Sequence, residues 1–464
     1  MFRNIFNTFA NCFKIPELKS RILFTFGVLA IVRLASFITI PGLNGSALAA
    51  FFNANSQNGG GLLGMYNTFA GGGYERCAIG ALGIMPYISA TIILQLMTAV
   101  IPQLSKLSRE EGGRAKIIQI GRVMTVFLCL GQGLYFAMGW ENPTKQFPGF
   151  VGTLVLHPGW WYLVQTVLVM TTGTMLLMWL GEQITERGIG NGVSLVITVG
   201  IVARLPLAGR GLMDMFHAPA GGTATHHLMG TGILLLLLSA AVIGGVIAVT
   251  QAQRKIPVQY AQRAVGRKMY AGGTSFMPLR VNYSGVMPII FAQSILMFPG
   301  FIFKWFADNV KGPFLHDNFL WLAMQFNSTG FMYIFVYGLM ILFFSYFWVA
   351  TQFNEIQIAD DLKKNGGYIP GVRPGQGTSE YLHNAMSRIT LAGAFFLMVI
   401  AALPIVIARH DVMDINQQVA RFFGGTSILI TVGVLLDTMR QVESHLMMRH
   451  YDGFLKKGRL RGRF

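Results

Sequence analysis

Apolar residues arrive along this chain in long unbroken runs, not in the alternation of a half-buried strand. Runs long enough to cross a bilayer fall at residues 21–41, 77–101, 117–139, 160–181, 192–209, 228–250, 284–306, 330–353, 388–408 and 424–444. About twenty apolar residues in helix match a hydrocarbon core of ~30 Å. The pattern therefore predicts an all-α polytopic membrane protein with about ten transmembrane helices, an even number that puts both termini on one side. Residues 1–20 read differently. Phe2, Ile5, Phe6, Phe9 and Phe13 set against Arg3, Lys14 and Lys19 give an amphipathic segment suited to the cytosolic leaflet.

One stretch breaks the regularity. Leu62 to Phe69 is a short apolar segment held between the glycine triplets Gly59–Gly61 and Gly71–Gly73. Ten residues of helix reach only about 15 Å, so this piece can enter a bilayer but not cross it. The run that follows carries Gly80, Gly83 and Pro86, and a helix-interior proline, lacking its N–H, predicts a kink. Broken backbone at membrane depth survives only when buried in protein or lining an aqueous cavity. A hinged half-length segment beside a broken span predicts a pore with a movable stopper. The interruption also recurs: Gly83-Ile84-Met85-Pro86 in the second run is matched by Gly285-Val286-Met287-Pro288 in the seventh. Matching breaks at corresponding places predict two pseudo-symmetric five-helix halves, an inverted repeat around a central pore. The first half covers 21–209, with its stopper at about 62–72. The second covers 210–444, with large cytosolic loops at about 251–283 and 354–388, and 445–464 form a basic tail.

Composition agrees with this reading and orients it. Of 464 residues 53% are apolar and only 12% charged, which excludes an ordinary soluble domain. The net charge of +17 would suggest nucleic acid in a soluble protein, but here it sits in a few loops. With the N-terminus in the cytosol, 26 Lys and Arg fall in the first segment, the even-numbered connections and the tail, against six in the odd-numbered connections. That asymmetry predicts cytosolic termini. The first apolar run has no small-residue cleavage site and is expected to stay as an anchor. Cys12, Cys77 and Cys129 have neither metal nor redox spacing.

Several signals point to no chemistry. Gly188-Ile189-Gly190-Asn191-Gly192 has no preceding strand and no following Lys-Ser/Thr, so it is read as structural and not as a nucleotide loop. His226 and His227 lack a partner at ligand spacing. Arg33, Arg122 and Asp437 lie inside spans, where charge is costly; steadying the bundle and lining an aqueous vestibule both remain open. A secondary transporter would share the broken helices but would bring polar ligands to the midplane, whereas these breaks bring isoleucines there. An enzyme would need a His/Asp/Glu constellation or an activated nucleophile within the spans, and none is present in the sequence. No catalytic residue, metal or cofactor is expected.

With these motifs in hand the chain resembles the SecY family, the channel-forming subunits of the bacterial Sec protein translocase. The resemblance is carried by GIMPYISATIILQL from Gly83, MWLGEQITERGIGNGVS from Met178, RKIPVQYAQR from Arg254, VNYSGVMPIIFAQSI from Val281, ADDLKKNGGYIPGVRPG from Ala359 and FGGTSILI from Phe423, in family order. It implies a pore ring of Ile84, Ile88, Val193, Ile197, Ile290 and Ile430, with Val193 smaller than the usual isoleucine. It implies a plug containing Leu62, Leu63, Met65, Tyr66 and Phe69. It implies a lateral gate with polar groups at Ser89, Thr91, Gln95, Asn282, Gln293 and Ser294. Arg254, Lys255, Arg263, Arg267, Lys268 and Arg373 match loops that bind the SecA motor and the ribosome, ribosomal RNA included. The implied partners are SecE, SecG, SecA, the ribosome, unfolded preproteins with their signal sequences, and lipid. The implied place is the bacterial cytoplasmic (inner) membrane. The outer loops at 140–159 and 210–227 carry no family pattern.

Overall fold

A computed structural model describes residues 15–54, 61–110, 112–147, 150, 152–216, 225–260, 263–265, 268–270, 273–310, 312–326, 330–407 and 426–457. The chain divides into two compact units. One holds Met1–His217, Asn416–Val419 and Val434–Phe464, the other Ala218–Ile415 and Ala420–Gly433.

The first unit is built on α1 (Pro16–Ala35), the short α2 (Gly45–Ala54) and α3 (Gly61–Phe69), then α4 (Met85–Val100) and α5 (Pro102–Arg109). The long α6 (Gly113–Glu141) and a single turn, α7 (Pro143–Gln146), lead to α8 (Trp160–Arg187), α9 (Gly192–Val202) and α10 (Leu205–Phe216). The second unit opens with α11 (Thr225–Gln251), then α12 (Met287–Asn309), α13 (Pro313–Gln325), α14 (Phe331–Gln352), α15 (Glu355–Lys364) and α16 (Gln376–Ile407). Helix α17 (Thr426–Lys457) starts in this unit and continues into the first.

Among the described residues seven helices are long and apolar enough to cross a membrane, or eight when the pair α4–α5, bent by 104°, is taken as one. The other sequence runs fall short for visible reasons. Helix α1 carries Lys19, Arg21 and Arg33, α17 carries Asp437, Arg440 and Glu443, and α4 has only 16 residues. That last shortfall corrects the kink expected at Pro86. Residues 70–84 form turns, and Pro86 sits in the first turn of α4, where its missing N–H costs nothing and its fixed φ favours the helix. Pro288 does the same for α12. The two sites share one backbone: Gly83 (φ +58°) and Gly285 (φ +62°) take the left-handed conformation, and Ile84 (φ −96°, ψ 2°) and Val286 (φ −97°, ψ −1°) follow as N-caps. The repeated tetrapeptide is thus a repeated helix start.

The fold is mostly helical, and its strands, absent from the all-α expectation, lie in the second unit. β1 (Gln253–Tyr260) pairs antiparallel with β4 (Thr274–Arg280) and with the two-residue β5 (Gly367–Tyr368). β2 (Arg263–Val265) and β3 (Lys268–Tyr270) form a separate ribbon.

Candidate functional site

The aliphatic residues expected at the constriction lie on helix starts and on α9. Ile84 caps α4, Ile88 follows one turn later and Ile197 lies on α9; all three are buried, while Val193 is partly exposed. The first unit brings two of them to one spot, because a Cβ on Gly181 of α8 would lie 3.6 Å from both Ile84 Cδ1 and the Val193 backbone nitrogen. Ile290 on α12 and Ile430 on α17 are buried in the second unit.

The short glycine-flanked segment is α3, nine residues long. Leu63, Tyr66, Asn67 and Ala70 follow helical spacing and are buried, as is Phe69; Leu62 and Met65 lie on the same helix. Tyr66 anchors it. Its hydroxyl donates to the Leu82 carbonyl at 2.8 Å, and its ring meets Phe136 edge-on at 4.9 Å and Tyr74 at 5.8 Å. Tyr74 continues the cluster to Trp140 at 5.6 Å. Gly71 closes the helix with φ +64° against α9, where a Cβ on Gly200 would stand 3.1 Å from Gly71 Cα. The Arg33 guanidinium donates to the Gly71 carbonyl at 2.8 Å and so ties α1 to the end of α3. Arg122 is also accounted for, pairing with Glu182 at 2.6 Å, and Asp437 lies 3.7 Å from Arg440.

All three candidate gate hydroxyls turn back on their own helix. Ser89 donates to Met85 O (3.1 Å), Thr91 to Ile88 O (2.8 Å) and Ser294 to Ile290 O (2.7 Å). Asn282 shapes the turn before α12 by donating to Gly285 O at 2.9 Å, and Gln95 is exposed. Only Gln293 among the six is seen bonding to another helix: its amide donates to Thr426 Oγ1 of α17 at 3.0 Å. Its own oxygen is buried without a partner among the described residues, so the amide is half satisfied.

The two basic loops are a single body. Ile256 and Val258 of β1 point inward with Leu279 of β4, Phe353, Ile369, Leu382, Ala385, Met386 and Ile389, while Arg254 and Lys255 on the same strand are exposed. β5 joins the later loop to the earlier one through Gln259↔Tyr368 and Tyr260↔Gly367. Arg373 is exposed on a tied turn: its carbonyl accepts from Thr378 Oγ1 at 3.0 Å, and Thr378 is buried. Arg263 and Lys268 lie on the β2–β3 ribbon; Arg267 is outside the described residues. The Gly188–Gly192 loop spends its N–H groups inside the protein. Ile189 N bonds Thr25 Oγ1 (3.1 Å), Gly190 N bonds Gln441 Oε1 (2.8 Å) and Gly192 N bonds Thr185 Oγ1 (2.9 Å). No phosphate cradle is left.

Sequence reading missed Glu75 and Arg204, which meet at 2.8 Å beneath α3. They stand 129 positions apart and carry no motif.

The family model described as SecY matches residues 78–439. The chain is 42% identical to the protein translocase subunit SecY of Chlamydia trachomatis serovar D, over 98% of this chain and 99% of that one. It is also 42% identical to the protein of the same name from Escherichia coli K12, over 96% of each. A solved structure described as "The structure of a protein conducting channel" superposes with a TM-score of 0.59 at 17% identity, covering 95% of this chain and 94% of that one. "Sec61 in the Canine ribosome-channel complex from the endoplasmic reticulum" follows at 0.54 and 17%, with the same coverage. At such identity these two speak for the fold alone.

Proposed function

The chain belongs to the SecY family, and from that premise we propose that it is the protein-conducting channel of a bacterial translocon, passing unfolded secretory polypeptides across the cytoplasmic membrane and releasing apolar segments sideways into lipid. Ile84, Ile88, Val193, Ile197, Ile290 and Ile430 line its constriction. An apolar ring blocks water and ions by dewetting, and aliphatic side chains yield around a passing chain without offering it a binding site. Helix α3 is the plug. The observation that carries this reading is a helix of nine residues, too short to span, yet buried and seated against Gly200.

Helices α4 and α12 border the sideways exit, with Ser89, Thr91, Gln95, Asn282, Gln293 and Ser294 as its polar groups. Interhelical ties of this kind are worth roughly 0.6–2 kcal/mol in a bilayer, little enough for an entering signal sequence to replace. The platform built on β1, β4 and β5 offers Arg254, Lys255 and Arg373 to cytosolic partners, with both chain termini on that side. A SecA-type motor and the ribosome fit: ribosomal RNA is a dense polyanion, and fixed Arg and Lys suit acidic protein surface as well. SecE and SecG are the expected membrane partners. The channel subunit supplies no chemistry, so the energy for transport enters through the motor's ATP.

The test places a photocrosslinking residue at Ile88 and stalls a preprotein in mid-transport in membrane vesicles. Crosslinks that require the motor and ATP are expected. A well-expressed, inserted variant that captures no substrate would remove Ile88 from the pathway and reopen the transporter reading.

A further inference from the structure

The charged residues under α3 form a connected set. The carboxylate of Glu75 accepts twice at Oε2, from the Asn67 side-chain amide at 2.6 Å and from the Arg204 guanidinium at 2.8 Å. Asn67 returns the contact, its Oδ1 accepting from the Glu75 backbone N–H at 3.2 Å. Asn67 is 1% exposed, and the Glu75 and Arg204 side chains are 18% and 19% exposed, so the set is largely removed from water. Gly72 makes room: a Cβ there would stand 3.2 Å from Glu75 Oε1 and 3.5 Å from Arg204 Nη2. Arg204 lies in the turn between α9 and α10, whereas Asn67 is on α3 itself. The carboxylate is therefore a pivot, with the short helix on one side and the α9–α10 turn on the other.

The placement has an energetic consequence. Moving α3 away while its surroundings stay put strands the Asn67 amide and leaves Glu75 with its arginine alone. A polar group that leaves such a site must find water or another partner. Tyr66 holds α3 through a neutral hydrogen bond to the Leu82 carbonyl, whereas the Asn67–Glu75 contact is charge-assisted, short in the manner of a strong bond.

We propose that Glu75 and Arg204, acting through Asn67, are the positioning residues that hold the plug shut, and that this tie sets the resting closure of the channel. The proposal rests on the reading of α3 as the plug. Arg204 orients the carboxylate, Glu75 grips the helix, and Asn67 is the handle. Charge alone is not enough, because the carboxylate must also face the amide.

The experiment records resting ion conductance of the full-length chain, co-purified with its membrane partners, in planar bilayers. The variants are Glu75→Gln, Arg204→Gln, Asn67→Ala, the exchange Glu75→Arg with Arg204→Glu, and a deletion of residues 62–69. Each single substitution is expected to raise the conducting fraction at least tenfold, equivalent to ~1.4 kcal/mol of closure. The exchange restores the ion pair but turns a guanidinium toward the Asn67 amide, so it is expected to leak as the single variants do; its return to within about threefold of the parent would show that charge alone sets the closure and would overturn the role of Asn67. Asn67→Ala leaves the ion pair intact and so remains informative should either charge variant fail to insert. Parental sealing by Asn67→Ala and by the inserted charge variants, with a leaking deletion, would overturn the tie and leave the plug standing. Parental sealing by the deletion would overturn the plug reading itself.

Discussion

Replacing Gly71 by alanine tests the seat of α3 from the backbone side. Two costs add. Gly71 has φ +64°, and holding an L-residue in that region costs about 1–2 kcal/mol. The new Cβ would also lie 3.0 Å from Gly200 Cα and 2.9 Å from Arg33 Nη1. The arginine end can shift, but the Gly200 contact is backbone on backbone, and forcing extra carbon into a packed site costs about 1–3 kcal/mol. Both penalties fall on the seated arrangement, giving about 2–5 kcal/mol against it. Gly42→Ala is the matched control, since Gly42 has φ +86° with nothing within 4 Å of the added carbon. It carries strain without crowding. The assay is release of a small anion from proteoliposomes loaded at equal protein density. Gly71→Ala should leak at least about thirtyfold faster than the parent, the lower bound of 2 kcal/mol, and Gly42→Ala should not leak. Equal leak from the two variants, or none from Gly71→Ala, would refute the claim that close approach to Gly200 holds the segment.

Other expectations concern the parts around the site. Asn191 caps α9 by accepting from Ser194 N at 3.2 Å, so Asn191→Ala should lower stability by about 1 kcal/mol, read as a lower thermal midpoint in detergent. Gln441→Leu strands the Gly190 N–H, bonded at 2.8 Å in the parent; the loss should reach about 1–3 kcal/mol in the same measurement, with the resting seal unchanged. Leu382 is fully buried in the platform, and Leu382→Ala should cost about 2–5 kcal/mol. Limited proteolysis should then cut residues 354–388 faster while anion leak stays at the parental level.

Much of this architecture was legible because apolar length is a direct physical signal: helices α6, α8, α11, α12, α14 and α16 each coincide with a run in the sequence. The misreading at Pro86 has a clear origin. Residues 77–84 are apolar enough to pass as helix, yet glycines and a non-helical path make them buried turns, and hydropathy does not separate the two. The strand β1 left a trace, since Ile256 and Val258 alternate with Lys255, Pro257 and Gln259, the period of a half-buried strand. The basic charge of that loop drew attention away from it. Glu75 alone looks like an ordinary loop charge, and Arg204 stands as a lone charge inside the 192–209 run; only the fold makes them neighbours.

The joining of β5 to β1 bears on mechanics. Helix α16 supplies Leu382, Ala385, Met386 and Ile389 to the core beneath that sheet and then runs on without a break to Ile407. At 1.5 Å per residue its 32 residues make a rod of about 48 Å, longer than the apolar core of a bilayer. Were a partner to press on the Arg373 turn, it would push on one end of a long helix whose other end lies in an apolar run. Loops joined only by flexible linkers would absorb such a push; a continuous helix would pass it on.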